Sequence, residues 1–308
     1  MQHPHRFLFF LEEVSFREAV IVSSLCPLTV TLNATVILVI CKDPYKELWR
    51  TAANFFILNL AVCDLLIGFP GELLFGFRHW FPDNPTLIQA GYFINHVAFL
   101  ASILTILVLA VERLIVIAFP VTRVKLTTCN IYLCFMAIWL LALILALPTI
   151  IRWDLYLESI SWGFNLICIP ITILVFSCYS AIYVLVRRQL HLYVATSGER
   201  LLEGHYLTEN SCLVQKLRIK ERSAAYTTFI LVLVFTVCWV PLSIVVNINS
   251  WCSTCLCQYN WHYVVCLVFL HPLLNPIAYS LCTARFRKGF RRVIRKSTFW
   301  PVTKTMHP

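Results

Sequence analysis

The dominant pattern in this chain is a series of long apolar stretches without charged side chains, separated by short polar segments. A bilayer core of about 30 Å is crossed by roughly 20 apolar helical residues. Four uncharged runs meet this length, at positions 19–41, 84–111, 126–151 and 159–186. A fifth run, 51–77, also qualifies, although it carries Asp64 and Glu72.

The last apolar stretch, 223–284, spans 62 residues without Asp, Glu, Lys or Arg. It is too long for one helix and is typical of two helices joined by a short polar turn at 253–260. The pattern therefore predicts an all-α membrane protein with a seven-transmembrane helix bundle over 19–284. A membrane barrel would instead show short segments that alternate with period two. The predicted spans lie at about 19–41, 51–77, 84–111, 126–151, 159–186, 223–250 and 260–284.

Composition agrees with a chain that lies mostly in lipid. Hydrophobic residues make up 59% and charged residues 13% of the chain, whereas a soluble domain carries about 25% charged residues. The net charge is +10, and 21 of the 25 Lys and Arg lie in alternate loops and the tail. By the positive-inside rule this places the amino terminus outside and the carboxyl terminus in the cytoplasm of a multi-pass plasma-membrane protein. The basic excess then faces anionic membrane lipids, and nucleic-acid binding is disfavoured.

The remaining segments follow from this orientation. After the last span, apolar side chains recur at i, i+4, i+7 and i+8 on a helix whose other face is basic, which predicts an amphipathic helix along the inner membrane surface. The predicted segments are an extracellular tail at 1–18, a third cytoplasmic loop at 187–222, an amphipathic interfacial helix at 285–296 and a cytoplasmic tail at 297–308.

Most of the fourteen cysteines lie in apolar runs, where a thiol behaves as a small hydrophobe. Three of them, Cys252, Cys255 and Cys257, cluster in a loop predicted to be outside, where the compartment is oxidising. One disulfide within this loop is predicted, with its pairing open. A zinc site is a weaker alternative, because His262 is the one imidazole nearby and no fourth ligand is evident. We predict no other metal.

Several short motifs fall on successive runs. The sequence has an LAxxD pattern ending at Asp64, Glu112-Arg113-Leu114 at the end of the third run, FxxCWxP from Phe235 to Pro241, and NPxxY from Asn275 to Tyr279. In this order and separation they resemble the motifs of rhodopsin-like (class A) G-protein-coupled receptors. The resemblance covers all seven spans and the interfacial helix. It implies a receptor that binds an extracellular ligand in the upper bundle and activates a heterotrimeric G protein.

The resemblance also implies an activation switch. Arg113 would pair with Glu112 and, in the resting state, with Glu221 at the base of the sixth span. Release of this pair would let the sixth helix move outward, since a ligand can bias two packings that differ by a few kcal/mol. A solvated helix face is the alternative reading of Glu221. The implied switch residues are Glu112, Arg113, Tyr179, Glu221, Phe235, Trp239, Pro241, Asn275, Pro276 and Tyr279.

An allosteric sodium ion is the one cofactor that the resemblance implies. Its expected ligands are Asp64, Ser102 and Asn275. The alternative for Asp64 is a protonated acid that cross-links helices, because a charge inside the membrane is costly. His271-Pro272 also departs from the family, which usually has small polar residues there.

The ligand is constrained mainly by exclusion. Asn95 stands where amine receptors have an aspartate, so a monoamine is disfavoured, and no lysine lies between Lys220 and Lys288 to hold retinal. A largely apolar cavity with a few polar groups suits a small organic or lipid-like molecule or a short peptide. The predicted ligand-binding residues are Glu72, Asn95, His96, Trp239, Asn247 and Phe269.

Three other function classes fit the sequence less well. A channel or transporter would show charged relays or paired broken helices, and an enzyme would show a nucleophile-base set in its loops. An atypical receptor that binds ligand without coupling to a G protein remains the main alternative, because Leu114 replaces the usual tyrosine of the family motif. Arrestin is a further predicted partner, although the tail offers few Ser and Thr residues for phosphorylation.

Overall fold

The computed structural model describes residues 16–43, 48–119, 127–151, 167–189, 209–251, 261–282 and 286–292. Within these ranges, seven helices are long and apolar enough to cross a membrane, and no strand occurs. The all-α fold of seven spans is therefore confirmed. The helices are α1 (Phe16–Cys41), α2 (Ala52–Phe77), α3 (Pro85–Ala118), α4 (Thr128–Ile151), α5 (Ile167–Gln189), α6 (Glu209–Trp251) and α7 (Trp261–Cys282).

Helix α3 forms the centre of the bundle. It begins with favourable capping: the Asn84 side chain accepts a hydrogen bond from the Leu87 amide at 3.0 Å, and Pro85 occupies the first turn, where no amide partner is needed. In its most apolar window 61% of the residues are buried, against 22% in α4 and in α5. Helices α4 and α5 therefore lie at the periphery of the bundle. Large side chains such as Leu140 on α4 are exposed towards lipid.

The buried side-chain amide of Asn59 connects the central helix α3 with α2 and α4. Asn59 on α2 donates to the Thr105 hydroxyl on α3 at 2.8 Å and accepts from the Trp139 indole on α4 at 2.9 Å. In a membrane interior no water competes for these groups, so both contacts fix how α2, α3 and α4 are rotated about their axes.

Helix α2 is interrupted in its second half. The segment Ile67–Glu72 has π-type hydrogen bonding, and Phe69 has non-helical angles of φ −140° and ψ 114°. The neighbouring Pro70, which cannot donate a backbone hydrogen bond, accounts for the break. A Gly-Phe-Pro-Gly sequence is the signal by which this break could have been anticipated, although we predicted an unbroken span.

Helix α1 packs closely against α2 at two glycines. A Cβ atom on Gly68 would lie 2.8 Å from Thr29 Cγ2, and one on Gly76 would lie 1.9 Å from Ser23 Oγ. Small residues at a helix crossing let two backbones approach, which strengthens dispersion contacts in lipid.

The last helices differ in part from the predicted segments. Helix α6 begins at Glu209, inside the predicted third loop, and continues through Pro241. Beyond α7, residues 286–292 are helical, and Arg287 donates to the carbonyls of Ser280 and Leu281 at the end of α7. The rest of the predicted interfacial helix lies outside the described residues, so its place along the membrane surface stays a prediction.

We expect Gly68→Val to destabilise the bundle by about 1–3 kcal/mol, the usual cost of overpacking a close contact. The added side chain would collide with Thr29. Thermal unfolding of the purified protein in lipid nanodiscs measures the effect. Ala137→Val is the matched control, because Ala137 is an exposed residue of α4. Equal Tm values for the two variants would contradict the α1–α2 packing.

Candidate functional site

A cluster of buried polar side chains connects α2 with α7. Asp64 is fully buried, and its Oδ2 accepts a hydrogen bond from the Asn275 side-chain amide at 2.8 Å. The same amide nitrogen lies 3.3 Å from Nε2 of His271, one turn earlier on α7. Both of these α7 side chains are also fully buried. The cluster therefore holds α7 against α2 in the interior of the membrane.

The first helix joins this cluster at a carbonyl that a proline leaves without its helical partner. Pro276 has no backbone N–H, so the carbonyl of Pro272, four residues earlier, lacks its usual intrahelical hydrogen bond. The Asn33 side chain on α1 donates to that carbonyl at 2.9 Å and to the Thr29 carbonyl at 3.0 Å. The break in the α7 ladder is thereby satisfied from a neighbouring helix.

Some buried oxygen atoms of this cluster, and one on Ser102 of α3, have no hydrogen-bond partner among the described residues. They are Oδ1 of Asp64, Oγ of Ser102 and Oδ1 of Asn275, and all three side chains are fully buried. One carboxylate and two neutral oxygens are the donor type that hard cations prefer. The residues predicted for sodium thus fit such an ion by chemistry.

A stack of aromatic rings runs from α3 through α6 to this cluster. The ring centroids of Phe99 and Trp239 are 3.6 Å apart, and Phe99 lies nearly parallel to Phe235 at 5.9 Å. Phe235 in turn meets the His271 imidazole edge-on at 5.4 Å. His271 therefore links the stack to the polar cluster. We had predicted no role for His271 or Phe99. The unusual His271-Pro272 pair was a signal in the sequence for a role of His271. Nothing in the sequence indicated a role of Phe99.

At the other end of α3, Arg113 forms a two-pronged ion pair with its neighbour. Its Nε and Nη2 atoms donate to Glu112 at 2.6 and 3.0 Å, and both side chains are buried. Tyr179 on α5 and Tyr279 on α7 are also buried. The Glu221 side chain lies outside the described residues, so its contact with Arg113 stays a prediction.

Three residues predicted to bind ligand contact neighbouring helices. Glu72 is fully buried and accepts from the Thr29 hydroxyl on α1 at 3.0 Å. Asn95 on α3 donates to the Gly71 carbonyl on α2 at 3.3 Å. This approach requires glycine, because a Cβ atom on Gly71 would lie 2.3 Å from Asn95 Oδ1. Phe269 packs against Phe75, with ring centroids 4.8 Å apart.

A cavity of about 410 Å³ lies between α3, α5 and α6. Of the six residues predicted to bind ligand, Trp239 and Asn247 line it, whereas Glu72, Asn95, His96 and Phe269 do not. Residues that define its walls are Phe99, Thr172, Ile173, Trp239, Ile244 and Asn247. The loop cysteines Cys252, Cys255 and Cys257 lie outside the described residues, so the predicted disulfide stays a prediction.

Comparison with known proteins agrees with this arrangement. Residues 32–279 match the family described as "7 transmembrane receptor (rhodopsin family)". The chain is 27% identical over 280 residues to "Neuromedin-U receptor 2" of Rattus norvegicus, which covers 82% of this chain and 69% of the relative. It is 27% identical over 302 residues to "Neuropeptide receptor 22" of Caenorhabditis elegans, covering 87% and 67% of the two chains.

The fold also resembles that of squid rhodopsin. The TM-score is 0.77 with 18% sequence identity, and the likeness covers 92% of this chain and 86% of the other. At that identity the likeness supports the fold alone.

The chain belongs to the rhodopsin-like family of seven-transmembrane receptors, because the family match covers most of its length. This confirms the family that the motifs indicated. The protein is therefore a multi-pass membrane receptor rather than an enzyme. Family membership implies an extracellular ligand and a heterotrimeric G protein as partners.

We expect Asp64→Ala and Asn275→Ala to be non-additive, with a coupling of about 0.5–3 kcal/mol in a double-mutant cycle. The two side chains share one buried hydrogen bond, so removal of either partner abolishes it. Unfolding of the single and double variants in nanodiscs gives the coupling.

A cycle of Asp64→Ala with Thr149→Val serves as the control, because Thr149 bonds the Ala146 carbonyl of its own helix. This second cycle is expected to be additive. Additivity in both cycles would contradict the α2–α7 contact.

Proposed function

We propose that this protein is a plasma-membrane receptor that couples ligand binding in the outer half of its bundle to activation of a heterotrimeric G protein. The observation that carries this proposal is the continuous path from Trp239 and Phe99 through Phe235 and His271 to the Asp64–Asn275 bond. The path joins four helices, α3, α6, α7 and α2, in the interior, so a change of packing at one end can alter the contacts at the other. In the proposed orientation the amino terminus is extracellular and the carboxyl terminus is cytoplasmic.

The proposed switch is a repacking of α6 relative to α3 and α7. A ligand that displaces Trp239 changes its stacking on Phe99 and on Phe235, which lies one turn earlier on α6 with its ring centroid 6.0 Å from that of Trp239. Packed cores hold discrete arrangements rather than deforming continuously. The prolines of α6 and α7 remove intrahelical hydrogen bonds at Pro241 and Pro276, which lowers the cost of changing the helix axis there.

Arg113, at the inner end of α3, forms the contact that would break when the receptor is activated. In the described structure Arg113 is held by Glu112 in a two-pronged pair. We assign Glu221 the role of a second acceptor in the resting state. Outward movement of α6 would separate it from Arg113 and open a cleft for the G protein, with Tyr179 and Tyr279 repacking behind it.

Asp64, Ser102 and Asn275 would hold an allosteric sodium ion in the resting state. The ion would supply a positive charge beside the buried carboxylate of Asp64, whose Oδ2 already accepts from Asn275. A ligand that binds only one conformational state stabilises that state. A sodium ion held by these residues would therefore stabilise the resting packing. Arrestin and anionic membrane lipids are further proposed partners.

We assign the ligand to the class of small organic, lipid-like or short peptide molecules. The relatives named above are called a neuromedin-U receptor and a neuropeptide receptor, which favours a peptide. The chain's own pocket residues are largely apolar, which favours a lipid-like or small organic ligand. Asn95 has no charge to offer a cationic amine.

Basal nucleotide exchange on purified G proteins tests the coupling role of Arg113. We expect Glu112→Gln to raise basal exchange several-fold, because it weakens the pair that holds the arginine. Arg113→Ala is expected to abolish exchange. Asp83→Asn is the matched control, since it neutralises an exposed acid at the opposite end of α3 and leaves exchange unchanged.

These variants are compared at equal amounts of folded receptor in nanodiscs. Basal exchange that responds to none of the substitutions, with representatives of every G-protein class, would favour the alternative of a receptor that binds ligand without coupling.

Sodium binding is tested by thermal unfolding in sodium chloride and in choline chloride at equal ionic strength. The wild-type Tm is expected to be a few degrees higher in sodium, as for any ligand that binds the folded state. Asp64→Asn and Ser102→Ala should lose this difference, whereas Ser24→Ala, an exposed hydroxyl of α1, should keep it. A wild-type Tm that is the same in both salts would exclude the proposed site.

A further inference from the structure

The cavity between α5 and α6 has one aromatic wall and one wall that borders the lipid. Phe99 and Trp239 form its inner side. Ile173 on α5 and Ile244 on α6 also line it, and these side chains are 61% and 52% exposed. Both helices are membrane spans, so what surrounds these exposed side chains is hydrocarbon. The cavity therefore adjoins the bilayer core as well as the interior of the bundle.

The lining offers few polar groups to a ligand. The hydroxyls of Thr172 and Thr236 donate to the carbonyls of Cys168 and Val232 in their own helices, at 2.7 and 2.8 Å. Along this part of the lining a buried polar ligand would find few partners to replace its lost water, which is costly. An apolar chain meets no such cost. At about 410 Å³, the cavity falls within the range of about 300–1,000 Å³ that is usual for ligand pockets.

Polar side chains gather at one end of the cavity. Ser243 and Asn247 line it one and two turns beyond Trp239 on α6, and the Asn247 amide donates to the Ser243 carbonyl at 2.7 Å. Asn247 lies eight residues after Trp239, a rise of about 12 Å along the helix. At this end of α6 the cavity thus has two polar side chains beside the aliphatic Ile244 and Ile248.

From the apolar, lipid-facing lining and its two polar side chains we propose that the cavity is a binding site for a lipid-like amphiphile with a single hydrocarbon chain, which enters from the bilayer between α5 and α6. Its chain lies against Trp239 and Phe99, and its polar group lies beside Ser243 and Asn247. The proposal rests on the function proposed above and names the ligand class of that receptor.

Such a ligand would act directly on the switch. Trp239 is part of the aromatic stack that leads through Phe235 to His271 and the buried Asn275. A chain inserted beside this indole changes the packing of α6 without passing the other predicted pocket residues, which do not line this cavity.

Photolabelling tests the site without any signalling readout. The receptor in nanodiscs is exposed to a palmitic acid analogue with a diazirine near its chain end, irradiated, and mapped by mass spectrometry. We expect adducts on peptides of α5 and α6 that line the cavity, with labelling that an excess of oleic acid suppresses.

Two variants place an indole ring at the lipid-facing wall and thereby fill part of the cavity. Ile173→Trp and Ile244→Trp should each reduce the labelling about tenfold, because part of a preformed pocket is lost. Leu140→Trp is the matched control, since Leu140 is 61% exposed to lipid on α4, away from the cavity. It should leave labelling unchanged.

Adducts spread over all lipid-facing helices, or labelling that oleic acid does not suppress, would overturn the proposed site. So would equal labelling of the two filled variants and the control. Site-specific adducts in a receptor that shows no nucleotide exchange would leave this site standing and would count against the coupling function alone.

Discussion

Buried polar groups in a membrane bundle must be satisfied inside the protein, and the contact between α2 and α7 is where this constraint is sharpest. Asp64 lies in the interior with Asn275 as its hydrogen-bond donor. One turn away, Pro276 leaves the Pro272 carbonyl without its helical donor, and Asn33 supplies the missing hydrogen bond from α1. Because the surrounding hydrocarbon offers no hydrogen-bond partners, these contacts hold three helices in register. The rest of the bundle is arranged around them.

His271 gives this polar cluster a connection to the aromatic interior. Its ring lies edge-on to Phe235 and within hydrogen-bonding distance of Asn275. A single side chain therefore contacts both the stack on α6 and the bond that holds α7 to α2. Movement of Trp239, whose ring is stacked on Phe99, can reach the polar cluster by contact alone. These contacts form an unbroken path from the cavity to the polar cluster in the interior of the bundle.

The candidate site was predictable where the information is local. Arg113 and Glu112 are neighbours in sequence, so their pairing needs no knowledge of the fold. The pocket residues were less predictable, because their partners belong to other helices. Glu72 faces Thr29 on α1, and Asn95 meets the Gly71 carbonyl, and both contacts follow the interruption of α2 around Phe69. A break of this kind rotates every later residue, so helical periodicity no longer indicates which side chains face the interior.

The sequence by itself determined the number of spans, because a run without charges long enough to cross the bilayer has few alternatives to a helix. It also determined the family, through motifs whose spacing along the chain is independent of packing. Only the tertiary structure decided that Phe99 stacks on Trp239, that His271 bridges to Asn275, and that a cavity opens between α5 and α6. These depend on the rotation and separation of helices far apart in sequence. Helix rotation cannot be predicted from the local sequence of a uniformly apolar span. Lipid-facing and core-facing positions use the same apolar residue types.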